Sequence, residues 1–184
     1  MGGFNGLGLR WARKLTDMRR NPPKWLTDKC DAEMKNTKFA KSEVGFDESK
    51  GDQFIPSELM QGGVYNPKQN DRSGQGPRGI KYVSVGTEVA MNFRCDDYPP
   101  ESPPKLVVVG MAFKAGLLPD MEIEVNGKSV WRGKAFEVPY CFKPLEVVLP
   151  VSVLQRTNRL VLRNMSPTEE AERKSLIHYV VVKK

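Results

Sequence analysis

The sequence has 184 residues, 39% of them hydrophobic, and its 29 Lys and Arg against 22 Asp and Glu give a formal charge of +7. That apolar content excludes wholesale disorder, and no run approaches the roughly 20 apolar residues that span a bilayer. One His and three Cys exclude a His-rich metal site and a secreted scaffold of paired disulfides, and with them most familiar catalytic arrangements.

The length suits one domain of ordinary size plus a substantial extension. Read as a whole chain, it is expected to be soluble and made in the cytosol. The basic charge is concentrated at the start, where residues 1–41 hold ten Lys and Arg against four Asp and Glu. Within residues 1–23, Phe4, Leu7, Trp11, Leu15 and Met18 recur at steps of three and four, while Arg10, Arg13 and Arg20 occupy the rest of the wheel. This spacing predicts an amphipathic helix. Asn21-Pro22-Pro23 ends it, because the residue before a proline is pushed out of the helical region. An Arg-rich segment with a single acid, Asp17, has the features of a mitochondrial targeting peptide. A helix that docks its apolar stripe on a neighbouring protein reads equally well. Myristoylation is set aside, since Gly6 stands where Ser or Thr is wanted. The basic face suits an acidic protein, an anionic membrane surface or RNA.

Residues 24–75 lose the period. Trp25, Phe39, Phe46, Phe54 and Leu59 are scattered singly among charged residues, which predicts either an irregular extended strap whose rings fill pockets on another surface or a disordered linker. Gly74-Gln-Gly76-Pro-Arg-Gly79 matches the spacing of a dinucleotide loop. That loop needs a strand before it and a helix after it, and here irregular chain precedes and a strand follows, so it reads as a flexible approach to the next domain.

From residue 76 to residue 184 the period is two. Val89, Met91 and Phe93 alternate with polar neighbours, Lys105 to Phe113 is a nearly continuous apolar run, and Met121, Ile123 and Val125 alternate with Glu122 and Glu124. Asn126-Gly127 then tolerates the positive φ of a hairpin turn leading into Lys128–Trp131. Further strands are expected at Ala135–Val138, Leu145–Leu149, Arg159–Arg163 and Leu176–Val182, with the prolines, Pro144 among them, falling between runs. Eight or nine short strands over about 109 residues fit an antiparallel β-sandwich.

The run Met121-Glu-Ile-Glu-Val-Asn-Gly-Lys-Ser-Val-Trp131, then Leu145-Glu-Val-Val-Leu-Pro150, then Asn158-Arg-Leu-Val-Leu-Arg-Asn164 and the closing strand, resembles the second half of galactose-binding-like jelly-roll domains. The resemblance implies an all-β jelly-roll sandwich. It leaves function open, because such modules serve as carbohydrate-binding domains, as accessory domains of glycoside hydrolases and as protein-interaction domains inside cells.

Chemistry is sparse. His178 is expected to share a face with Leu176, Val180 and Val182, with no nucleophile or acid assigned to it. Cys30, Cys95 and Cys141 lack the fourth ligand of a zinc site. Glu122 and Glu124 project from one strand face about 7 Å apart, and a solvated face is the reading preferred over a carboxylate pair. Asp96-Asp97 reads as a turn that could also hold a cation. Sugar binding needs an exposed aromatic platform, for which Tyr98, Tyr140 and Phe142 are the loop candidates; Trp131 is assigned to the core.

The leading expectation is therefore a non-enzymatic structural accessory subunit of a large mitochondrial assembly, of respiratory, ATP-synthase or ribosomal type. It would be anchored to other protein subunits through Phe4, Leu7, Arg10, Trp11, Arg13, Leu15, Met18, Arg20 and Trp25, with no cofactor. The alternative is an extracellular carbohydrate-binding accessory module of a glycoside hydrolase.

Overall fold

Alternating and continuous apolar runs both become strands, and the difference between them decides which strands are buried on one face and which on two. The computed structural model describes residues 44–66, 81–113, 118–136, 142–166 and 173–184. Among these are ten strands: β1 (Gln53–Pro56), β2 (Val64–Asn66), β3 (Tyr82–Val85), β4 (Glu88–Arg94), β5 (Lys105–Ala112), β6 (Asp120–Val125), β7 (Lys128–Lys134), β8 (Lys143–Val148), β9 (Thr157–Asn164) and β10 (Ser175–Lys183). They form two antiparallel sheets, one in the order β2-β3-β10-β5-β8 with β1 also on β10, the other in the order β4-β9-β6-β7. The amphipathic helix expected over residues 1–23 lies outside the described residues.

The two sheets close on a core drawn from both. Val83, Leu106, Val108, Ile177 and Val180 of the larger sheet meet Val89, Phe93, Met121, Ile123 and Leu162 of the smaller. In β6 the sequence alternation becomes a strict alternation of half-buried and buried positions. In β5 every residue after Lys105 is buried, because the outer face of the larger sheet carries a second apolar cluster built on Val107, Val109, Phe142, Tyr179 and Val181.

The hairpin forms as expected. Asn126 and Gly127 have φ of 53° and 80°, the left-handed pair that joins β6 to β7. Four expectations are corrected. Residues 44–66 are not irregular: β1 pairs with β10 and β2 with β3, and Ile55 and Met60 enter the core. Phe46 and Phe54 do pack on an apolar surface, but it is the outer face of the larger sheet of this same chain. The strand expected from Ala135 does not start there, since Phe136 turns to a φ of 58°; both residues are buried, which is why their apolar character reads as strand. Pro144 lies inside β8, an edge strand, where its missing N–H leaves no ladder bond unmade.

Candidate functional site

The loop that leaves β4, residues 95–104, stands at one end of the sandwich beside the end of β10, and three consecutive residues brace the two. Gln53 Oε1 accepts the main-chain N–H of Arg94 at 2.8 Å and its Nε2 donates to the Arg94 carbonyl, so a carboxamide stands in for a neighbouring strand at the end of β4. Asp52 is buried; it accepts the N–H of Asp47 at 2.9 Å and the N–H of Lys184 at 3.1 Å. Gly51, at a φ of 83°, leaves room for the Lys184 side chain to run across it. Lys184 Nζ then reaches Asp97 at 2.6 Å, and this hydrogen bond holds the ammonium above its usual pKa.

Between these groups lies a cleft of about 560 Å³, lined on its apolar side by Pro99, Pro100, Pro104 and Val182. Its charged members are Arg94 and Lys184 against Asp97 and Glu101, and because Arg94 Nε also pairs with Asp96 at 3.2 Å, carboxylates outnumber cations by one. Ser102 adds an exposed hydroxyl, and Tyr98, next to Asp97 and Pro99 in this loop, is 40% exposed. The volume is that of a small-molecule site.

The base of the cleft loop is fixed by an asparagine network. Buried Asn158 donates to the Gln155 carbonyl at 2.7 Å and to Cys95 Sγ at 3.7 Å, and its Oδ1 accepts from Asn126 Nδ2 at 2.8 Å. The hairpin turn, the approach to β9 and Cys95 are thus one hydrogen-bonded unit. Burial pushes the Cys95 thiol pKa up, which makes it an unreactive core thiol. A second cleft, of about 460 Å³, borders Phe46, Phe54, Leu59 and Asn92. Its aromatic rings are engaged elsewhere, with Phe54 centred 5.0 Å from Tyr179 and 6.1 Å from Phe46.

Of the aromatic candidates, Tyr98 is exposed in the cleft loop, between the lining residues Asp97 and Pro99, though it does not itself line the cleft. Phe142 is fully buried on the outer face of the larger sheet, 5.4 Å from the His178 ring, and Tyr140 lies outside the described residues. Phe142 is thereby corrected from platform to core; its short apolar flank hid a position in the outer apolar cluster, beside the His178 ring. His178 does not share a face with Val180 and Val182. A bulge between Ile177 and Tyr179 makes it the extra residue and reverses the alternation, so Val180 and Val182 point into the core while Tyr179 and Val181 face outward. Its Nδ1 is 2.7 Å from the Lys81 carbonyl, and burial lowers its pKa.

Glu122 and Glu124 are drawn together by Arg163, whose Nη1 donates to both at 3.2 and 3.1 Å while its Nε donates to Glu88 at 3.2 Å. Sequence reasoning missed that guanidinium, although its two-residue spacing from Val161 placed it on the same face. Asp96 and Asp97 face Arg94 and Lys184, and among the described residues no group of His, Cys, Asp and Glu could hold a metal ion. Phe4, Leu7, Arg10, Trp11, Arg13, Leu15, Met18, Arg20, Trp25, Cys30, Cys141 and the glycine loop at 74–79 lie outside the described residues. Gln53, Asp52, Gly51 and Lys184 were not found from sequence, since nothing local marks residues that meet across so much chain.

No protein-family model and no curated protein matches the sequence. Solved structures do match in fold. A family 35 carbohydrate-binding module from an environmental isolate is similar with a TM-score of 0.50 and 14% identity, covering 72% of this chain and 93% of its own. A family 35 module from Clostridium thermocellum gives 0.49 and 15%, covering 71% and 96%. The C-terminal family 6 module of a marine laminarinase from Zobellia galactanivorans gives 0.47 and 13%, covering 72% and 99%. The chain has the galactose-binding-like jelly-roll fold that its sequence resembles. The leading functional expectation is corrected by the same finding. The family 35 module from the environmental isolate is a carbohydrate-binding module and not a subunit of a mitochondrial assembly.

Proposed function

We propose that this chain is a carbohydrate-binding module, non-catalytic in itself and serving a glycoside hydrolase outside the cell, and that it takes its sugar in the cleft beside Tyr98. The observation that carries the reading is the exposed Tyr98, set in the loop between the cleft-lining residues Asp97 and Pro99, with Glu101 and Ser102 also on the lining. A pyranose has an apolar face of C–H groups and an edge of hydroxyls. An aromatic ring supplies the first contact and carboxylate and hydroxyl oxygens the second. A site without a surplus of cations suits a neutral polysaccharide better than a polyanion such as RNA, which needs one. The jelly-roll fold supports this reading as a scaffold that hosts such sites.

Retardation on affinity gels containing xylan, mannan or laminarin tests the proposal, followed by titration calorimetry with the matching hexasaccharide. The chain is expected to be retarded by at least one polysaccharide. Tyr98→Ala should weaken that binding by at least about tenfold without moving the thermal midpoint. Binding unchanged in Tyr98→Ala would remove the cleft from the function.

A further inference from the structure

Lys184 is seated with unusual care for a surface lysine. A Cβ placed on Gly51 would stand 2.7 Å from Nζ, 2.8 Å from Cε and 3.1 Å from Cδ, so the whole outer stem lies over a bare glycine backbone. The main-chain N–H is fixed by Asp52, itself buried, and the preceding residues are locked into β10 between β1 and β5. The side chain therefore reaches Asp97 along a constrained path. Surface lysines ordinarily lose substantial rotamer freedom to make such a pair and gain little net stability from it. A pinned stem points to a role in the cleft instead.

The charges show what that role is. Arg94 is committed to Asp96, and Lys184 to Asp97, which leaves Glu101 as the remaining carboxylate of the lining. With Arg94 paired to Asp96, removal of Lys184 would leave both Asp97 and Glu101 without a cation. Such a site would attract a cationic sugar.

We propose that Lys184 is a specificity-determining residue of the cleft, which by pairing with Asp97 shifts the site's preference from amino sugars toward uncharged sugars. This rests on the carbohydrate-binding reading above. The ammonium acts in two ways: it removes the attraction of Asp97 for a protonated amine, and it repels that amine directly. A neutral sugar still finds the carboxylate's second oxygen and its lone pairs as hydrogen-bond acceptors.

The test is calorimetric titration of the full chain and of Lys184→Met, whose uncharged stem keeps much of the contact with Gly51. The probes are xylohexaose, mannohexaose and laminarihexaose as neutral ligands and a glucosamine hexamer at a pH low enough to protonate its amines. The wild type is expected to bind a neutral hexasaccharide and to discriminate against the glucosamine hexamer. Lys184→Met should keep the neutral affinity within about threefold and gain at least about tenfold for the glucosamine hexamer. That gain should vanish in about 1 M salt, where the screening length falls to about 3 Å. Gly51→Ala, which displaces the stem while keeping the charge, should move the ratio in the same direction by a smaller factor. An unchanged ratio of glucosamine to neutral affinity in Lys184→Met, with neutral binding intact, overturns the role of Lys184 and leaves the sugar site standing. Loss of neutral binding in Lys184→Met would overturn it too, making the residue a direct sugar contact. A wild type that binds none of the probes overturns the carbohydrate reading and this inference together.

Discussion

Across the smaller sheet the outward residues of one cross-strand row are Glu88, Arg163, Glu122 and Arg132, one from each of its four strands. The matching kind of row on the larger sheet is Phe54, Val181, Val107 and Glu146. One sheet faces water with a ladder of alternating charge; the other is apolar on both sides over its central strands. In the first, most of the hydrophobic stabilisation comes from one face, and the outer row adds the modest net energy of exposed ion pairs. In the second, β5 and β10 are buried on both faces, and the outer one is a structural layer in its own right. The larger sheet is therefore where the sandwich should be most sensitive.

The sharpest way to break this comparison is to remove β1 and β2, both of which belong to the larger sheet. A fragment of residues 67–184 loses the burial of Ile55 and Met60, about 1.5 to 3 kcal/mol each, and opens one flank of β10. It is expected to show no cooperative thermal transition, whereas residues 44–184 should unfold cooperatively. Equal midpoints for the two would mean that the sandwich begins after residue 66.

Single substitutions should rank the two outer faces. Phe142→Ala, in the apolar layer, should cost about 3 to 5 kcal/mol by urea denaturation. Arg163→Met, in the charge ladder, should cost about 1 kcal/mol, since its side chain is a third exposed. A larger loss in Arg163→Met than in Phe142→Ala would reverse the comparison. Gly127→Val probes the smaller sheet through its turn. A Cβ there meets nothing within 4 Å, so the expected cost of about 1 kcal/mol or more comes from the left-handed backbone alone.

The smallest effect is a pH dependence confined to the larger sheet. Burial lowers the His178 pKa in the folded chain, against the opposing pull of the Lys81 carbonyl, from an ordinary value of 6.5. A depressed folded pKa means that the unfolded chain binds the proton first. The stability this group supports is full above about pH 6.5 and falls as pH drops through 6.5 toward the lower folded value, by at most about 1.4 kcal/mol per pH unit. His178→Asn, which retains a donor for the Lys81 carbonyl, should flatten that part of the stability profile measured by denaturation at several pH values.

What was legible in the sequence follows the same division. The alternation of Asp120–Val125 and the Asn126-Gly127 turn set out β6, β7 and their register, and the resemblance to a jelly roll rested on these residues and on β9. Tyr98 was legible as a loop aromatic between Asp97 and a proline. Phe142 was misplaced because one apolar residue beside Lys143 and Pro144 looks the same in a loop as under a sheet. Residues 53–56 and 64–66 were read as irregular because strands of four and three residues are too short for a period to show.

By itself the sequence determined that the protein is a β-sandwich and which residues of the smaller sheet face its core, because periodicity records the contrast between a wet face and a dry one. Where both faces of a strand are dry there is no contrast to record. Only the tertiary structure decided that the bulge at His178 exchanges the faces of β10 and that residues 44–66 complete the larger sheet. The cleft, too, is tertiary: Asp52 and Lys184 are 132 positions apart, and Gln53 and Arg94 are 41 apart. The first meeting follows from the pairing of β1 with β10, and the second from the packing of the two sheets, which brings the start of β1 to the end of β4.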